Sequence, residues 1–264
     1  MPASLAWEGW LAAAGILSLL MFGLWLVQLR TGDAAIADVG WALGVGALAL
    51  VHALDGSGDA DRRFLVGAMG VGWSLRLALH LVRDRVLPPG EDGRYRMLRQ
   101  RWGTRAPWHF LVLFQVQALL ALFFSLPFLV IAHNAQSGLG FWDLAGAVLW
   151  LVALGGESLA DSQLARFRRD PANRGQVCRA GLWRYSRHPN YFCEWLHWCA
   201  YGLMAVAAPQ AWVALGAPLL MLYLLFRATG IPHAEAQALL HRGEAYAQYQ
   251  RQTSAFFPWF PRKD

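Results

Sequence analysis

The apolar positions of this chain gather into seven stretches, separated by short polar or arginine-rich segments. They run about Trp10–Leu29, Ile36–Leu54, Phe64–Val82, Trp108–Ala132, Phe141–Ala160, Tyr191–Ala208 and Gln210–Phe226. Each is near the roughly 20 residues that a helix needs to cross a hydrocarbon layer. The pattern predicts an all-α, polytopic integral membrane protein with seven transmembrane helices. The first stretch lacks a basic leading region, and Gln28-Leu29-Arg30 makes a poor cleavage site, so it reads as a span and not as a signal peptide. Little more than Pro209 separates the sixth and seventh, which predicts a tight hairpin there.

The polar positions are sorted by charge. Arg83, Arg85, Arg94, Arg96, Arg99, Arg101 and Arg105 fall between helices 3 and 4. Arg166, Arg168, Arg169, Arg174, Arg179, Arg184 and Arg187 fall between helices 5 and 6. With Arg30 and the cations after Phe226 they share one side of a seven-helix thread, while the other side receives only Arg62 and Arg63. The positive-inside rule then gives an N-out, C-in orientation. Only 15% of the residues are charged, against about 25% in a soluble domain, and 56% are hydrophobic. The formal charge of +6 is dealt out between apolar blocks, which argues against a nucleic-acid surface. Three cysteines, Cys178, Cys193 and Cys199, lack metal-ligand spacing and read as packing residues. One domain over residues 1–264 is expected, with loops of about 83–107, 161–190 and 227–264 folded back against the helix ends.

Chemistry concentrates in Gly181-Leu182-Trp183-Arg184-Tyr185-Ser186-Arg187-His188-Pro189-Asn190-Tyr191-Phe192-Cys193-Glu194-Trp195. Pro189 suits the first turn of a helix, and Asn190 and Glu194, four apart, then share a face. A carboxylate one turn inside a membrane helix needs a partner. The other ionisable residues within apolar stretches are Asp38, Arg76, His80, Glu157 and Asp161. Arg76, His80 and Arg83 lie on one face of helix 3, at the same membrane surface as Asp38; a structural ion pair and a reactive constellation both remain open. Arginine forks onto phosphate as lysine does not, and Lys263 is the one lysine in the chain. Fourteen loop arginines therefore suit a phosphate-bearing cofactor or lipid headgroups. After Pro232, the residues Glu235, Tyr246, Tyr249 and Arg251 add hydrogen-bonding groups, and Phe256-Phe257-Pro258-Trp259-Phe260 reads as an interfacial anchor. No nucleotide-loop or zinc-protease motif is present.

The Arg187-His188-Pro189-Asn190-Tyr191 core, Asp161 upstream, and Glu244-x-Tyr246 before an aromatic, Pro-rich ending resemble the DUF1295 group of bacterial membrane proteins related to steroid 5α-reductases. That superfamily also holds sterol reductases and isoprenylcysteine carboxyl methyltransferases. The resemblance covers most of the chain and implies an NADPH-dependent reduction of the Δ4 bond of a 3-oxo-steroid or a similar apolar enone. It implies cofactor contacts from Asp161, Arg168, Arg184, Tyr185, Arg187, His188, Asn190, Glu194, Glu235, Tyr246 and Arg251, with catalytic roles for Asp38, His80 and Glu194. Membrane lipid and a steroid-like substrate are the expected partners, and the chain reads as a monomer. Vertebrate steroid reductases carry a His-Tyr pair in the helix corresponding to helix 3, where the tyrosine helps polarise the substrate ketone; here His80 is followed by Leu81. They also carry a Gln-Glu pair in helix 2, where this chain offers Asp38 in roughly the same region. The alternatives are an S-adenosylmethionine-dependent methyltransferase, a Δ14-sterol reductase, and a transporter or scaffold.

Overall fold

The computed structural model describes residues 7–228 and 230–262. The chain is an all-α, multi-pass membrane protein. Its helices are α1 (Trp7–Thr31), α2 (Ile36–Asp55), α3 (Ala60–Leu81), α4 (Gly93–Trp102), α5 (Ala106–Ala132), α6 (Phe141–Arg169), α7 (Pro189–Met204), α8 (Ala211–Ala214), α9 (Gly216–Tyr223) and α10 (Ile231–Gln252). Among the described residues, six helical runs are long and apolar enough to cross a membrane: Leu11–Thr31, Ile36–Asp55, Ala60–Val86, Gly93–Ala132, Phe141–Arg169 and Ala211–Gln252. The stretch predicted as a sixth span is α7, which stops at Met204 after 16 residues. Beyond it lies a 3-10 turn, Ala205–Ala207, and Ala208 is extended at ψ 148, as a residue before proline prefers. The last predicted span is broken into α8 and α9, followed by a π-helical turn over Leu224–Ala228.

The chain divides into two compact units, Met1–Gly138 and Leu139–Asp264. In the first, α2 and α3 meet through small residues. A Cβ on Gly46 would lie 2.3 Å from the Ser74 Cβ, one on Gly70 2.4 Å from the Ala49 Cβ, and one on Gly67 2.7 Å from the Ala53 Cβ. Such close backbone approach replaces the hydrophobic drive that lipid removes. The Ser74 hydroxyl spans the gap and donates to the Ala42 carbonyl at 2.8 Å. Beyond Asp38 on α2, Ala42 packs with Ala78 and Leu81 of α3, covered by Val39, Trp41 and Leu77.

At the start of α3, Asp59 caps the helix by accepting from the Asp61 and Arg62 amides, and it also accepts from the Gly138 amide at 2.8 Å. The Gly138 and Arg62 amides hold the Asp59 carboxyl below its ordinary range. Arg62 is buried, and its guanidinium donates to the carbonyls of Asn134, Gln136 and Gly138. The pair pins the segment after α5 onto the N-terminus of α3.

In the second unit α6 and α7 run antiparallel. A Cβ on Gly156 would meet the Cys193 sulfur at 2.7 Å, and one on Gly146 the Met204 side chain at 2.3 Å. That register sets Asp161 beside Asn190 at one end and Gly146 beside Met204 at the other. The α10 helix turns a corner at Gly243 (φ 51, ψ −129), and Gly103, between α4 and α5, adopts almost the same left-handed geometry (φ 53, ψ −130). Only glycine takes that conformation without strain.

Candidate functional site

In the first unit, polar side chains converge on Asp38 from three elements. Asp38 sits in the first turn of α2. At the end of α3 the chain makes a π-helical turn, Val82–Val86, in which the Leu87 amide reaches back to the Val82 carbonyl. This turn delivers Arg85, whose Nη1 donates to Asp38 Oδ2 at 2.6 Å. Asp92 then caps α4 by accepting from the Arg94 amide and also from Arg94 Nε. So oriented, Arg94 Nη2 donates to Asp38 Oδ2 at 2.7 Å, and the Tyr95 hydroxyl donates to Oδ1, also at 2.7 Å. Gln117 of α5 approaches the same oxygen at 3.5 Å. A lone carboxylate in a membrane helix is costly, and two guanidinium groups with a phenol compensate it.

A second bracket holds the rest of this segment. Arg99 forks onto Glu91, with Nε to Oε2 at 2.9 Å and Nη2 to Oε1 at 2.7 Å, and also donates to Gln28 Oε1 and the Gly32 carbonyl at the end of α1. The Arg99 guanidinium lies 4.7 Å above the Phe110 ring. Arg85, Arg94 and Arg99 are thus committed internally. Arg83, Arg101 and Arg105 are exposed and have no carboxylate partner among the described residues.

In the second unit His188 precedes α7 and Pro189 opens it. Asn190 Nδ2 donates to Asp161 Oδ1 at 3.1 Å, joining α7 to α6. One turn on, Glu194 Oε1 accepts from the Trp198 indole at 2.9 Å. Arg187 is closed off. Its Nε donates to Glu235 Oε1 at 2.6 Å, and its Nη1 to the carbonyls of Gln250 and Thr253, both at 2.7 Å. His188 Nε2 lies 3.3 Å from the same Glu235 oxygen, and its ring stacks on Tyr191 at 5.3 Å. Gln250 donates to the other Glu235 oxygen at 2.9 Å.

The remaining residues singled out from the sequence are dispersed. His80 Nε2 lies 3.9 Å from Asp84 Oδ2. Arg168 and Arg184 are exposed, and the Arg184 guanidinium sits 6.0 Å from the Tyr185 ring centroid. Tyr246 is buried edge-on against Tyr249, whose hydroxyl donates to the Trp183 carbonyl. Arg251 pairs with exposed Glu244 at 2.6 Å. Arg166, Arg169, Arg174 and Arg184 are exposed with no carboxylate partner among the described residues. Cys178 is buried beside this segment, and burial pushes its thiol above the usual range.

Sequence reasoning found Asp38 but not the groups that hold it. The available signal was Asp92-Gly93-Arg94-Tyr95, a capping aspartate followed by the two residues that its helix presents to Asp38. Leu81, where relatives were expected to carry a tyrosine, is 5% exposed and packs between α2 and α3. The phenol of this cluster comes from Tyr95 instead.

A family model described as a protein of unknown function, DUF1295, matches residues 24–253. An uncharacterized protein of Schizosaccharomyces pombe is 28% identical over 214 residues, which make up 71% of this chain and 62% of that relative. The chain therefore spans less than two thirds of the relative's length. No solved structure matches it.

Proposed function

The chain belongs to the DUF1295 family, and on that premise we propose that it reduces the Δ4 double bond of a 3-oxo-steroid, or of a similar flat apolar enone, with NADPH. The observation that carries this reading is the Tyr95 hydroxyl held at 2.7 Å by Asp38 among membrane helices. Reduction at C5 pushes negative charge onto the C3 oxygen, and a fixed donor aimed at that oxygen lowers the barrier. Tyr95 is that donor in our reading: when the enone binds, its single hydroxyl hydrogen turns from Asp38 to the C3 oxygen, and Arg85 and Arg94 keep the Asp38 carboxylate compensated. Asp38 positions it, and Arg85 and Arg94 hold Asp38. With two cations on one oxygen, the contacts of Asp38 favour an orienting role over protonation of the enone. The second hydrogen arrives at C4 as a proton.

The second unit offers donors that suit a phosphate-bearing cofactor. Among the described residues Arg166, Arg169 and Arg174 are exposed and have no carboxylate partner, whereas Arg187 is saturated by Glu235 and two carbonyls and Arg184 lies against the Tyr185 ring. We therefore assign phosphate contacts to the exposed arginines and give Arg187, with His188 and Glu235, the task of fixing the loop before α7. Asn190 and Glu194 are the groups we assign to the nicotinamide amide. NADPH, when bound, supplies the hydride. Adenosylmethionine carries no phosphate and makes no use of so many forked donors, which favours the reductase over the methyltransferase.

The test is a titration of the purified protein with NADPH and with S-adenosylmethionine, followed by turnover on testosterone, progesterone, a Δ14-sterol and polyprenyl enones. NADPH binding and a 5α-dihydro product are expected, with kcat falling about 10²- to 10³-fold in Tyr95→Phe. Preferential binding of S-adenosylmethionine overturns the reading, and reduction of the Δ14-sterol alone moves the protein to the sterol-reductase branch.

A further inference from the structure

After α10 the chain leaves helical structure, yet residues 253–262 are stitched down along their length. The Arg187 amide donates to the Ser254 carbonyl, and the Trp259 amide to the Tyr185 carbonyl, both at 2.9 Å. The Ser186 hydroxyl donates to the Phe256 carbonyl at 2.8 Å and accepts from the His188 amide at 3.1 Å. The Arg262 amide returns to the Gln252 carbonyl. Segment 253–262 and loop 185–188 therefore form one backbone-linked body, placed where the chain enters α7.

This body presents two faces. Phe256 is buried against Phe192 and Trp195 of the first turns of α7 and against Phe226. Phe257, Trp259 and Phe260 are 56%, 73% and 77% exposed. Phe257 rests one edge on Phe192 and Trp195, and among the described residues most of the surface of the three rings stays open, held outward by an irregular but firmly bonded segment. Exposed arginines adjoin them: Arg184 beside Tyr185, Arg227 next to Phe226, and Arg262 at the end of the segment. Residues 181–188 and 253–262 contain no aspartate or glutamate. Tyr185 bridges the two features, edge-on to Phe260 at 5.9 Å and beside the Arg184 guanidinium.

Aromatic rings take the headgroup level of a bilayer, and arginines beside them attract anionic headgroups. We propose that Phe257, Trp259 and Phe260 form a lipid-docking hook that inserts among anionic phospholipid headgroups and, through its backbone bonds, sets the position of loop 185–188. Charge complementarity selects the occupant: an acidic partner is required, and the membrane that holds α7 supplies one at the depth where α7 begins. Anionic lipid then acts as a structural effector of the loop. The proposal needs only the fold and does not depend on the reductase reading.

The experiment uses the full-length protein in nanodiscs of phosphatidylcholine alone or with phosphatidylglycerol. Benzoylphenylalanine placed at Trp259 should give a photo-adduct with the mass of a phospholipid, enriched for phosphatidylglycerol. Hydrogen exchange of the Arg187 amide in the wild-type chain should slow at least tenfold when phosphatidylglycerol is added. The triple variant Phe257→Ser, Trp259→Ser, Phe260→Ser should keep its helix content and lose that difference. Equal wild-type exchange in both lipids, or an adduct free of phospholipid, overturns the proposal. The wild-type comparison stands whether or not the variant folds, and neither readout involves turnover.

Discussion

The two polar clusters are inversions of each other. Around Asp38 an anion is ringed by side-chain donors from the π-turn and α4, each on its own rotatable arm. Around Arg187 a cation is ringed by one carboxylate and two backbone carbonyls. Side chains around an anion can exchange partners when a ligand arrives; carbonyls around a cation cannot, because each is part of the chain being held. The first arrangement suits a site and the second suits a bracket, although the sequence made both look like candidate ligand contacts.

The comparison breaks most visibly at Arg187. Arg187→Ala takes from Glu235 its paired guanidinium, leaving Gln250 and His188, and takes from two carbonyls this donor in a largely buried setting, and should cost about 3–5 kcal/mol. Thermal melting in detergent checks this. Arg187→Lys should recover only part of the loss, because an ammonium cannot reproduce the fork. A melt unchanged by Arg187→Ala would move Arg187 from bracket to ligand contact.

Asp38→Asn comes next. It keeps the shape but weakens three charge-assisted bonds, from Arg85, Arg94 and Tyr95, for an expected loss of about 2–3 kcal/mol. The loss should be accompanied by faster hydrogen exchange in residues 85–95. Tyr95→Phe sharpens the contrast, since it removes one hydroxyl from the same carboxylate while Arg85 and Arg94 stay. Its stability cost should be about 1 kcal/mol, so a large drop in turnover with a nearly unchanged melt separates chemistry from scaffolding. The reverse pattern would make Tyr95 a structural residue.

The smallest effect concerns Asp59. Its folded carboxyl titrates below the ordinary value of 3.8, so its contribution is complete above that value and fades as the pH falls through the folded one. Exchange of the Gly138 amide should therefore quicken only under acid conditions, once the intrinsic pH dependence of exchange is removed. Asp59→Asn should abolish that step.

Much of the fold was legible because membrane crossing demands long apolar blocks. Helices α2 and α5 end within two residues of the predicted limits. The region after Tyr191 was harder. Pro218 near the start of α9 and the turn at Ala205–Ala207 interrupt the last apolar stretches, and hydropathy is blind to such breaks. In the site, the Asn190–Asp161 contact joins two residues that the sequence had already marked. The partners of Asp38 were hidden for a different reason. Arginine sorting assigns a charge to a membrane face, but any of seven arginines in one loop satisfies it. The choice of Arg85 and Arg94 depends on helix phase and on the Asp92 cap, which composition does not record.

Helix phase at Val82–Val86 carries one more implication, for insertions and deletions. A π-turn is an α-helix with one residue too many, and each residue of an α-helix turns the chain by about 100°. Removing a single residue between Val82 and Val86 would leave an unbroken helix of ordinary geometry and almost the same length. It would also rotate Arg85 by about a quarter turn away from Asp38. A related chain that is one residue shorter at this point must therefore supply the second cation from another position, even if every other residue of the cluster is identical.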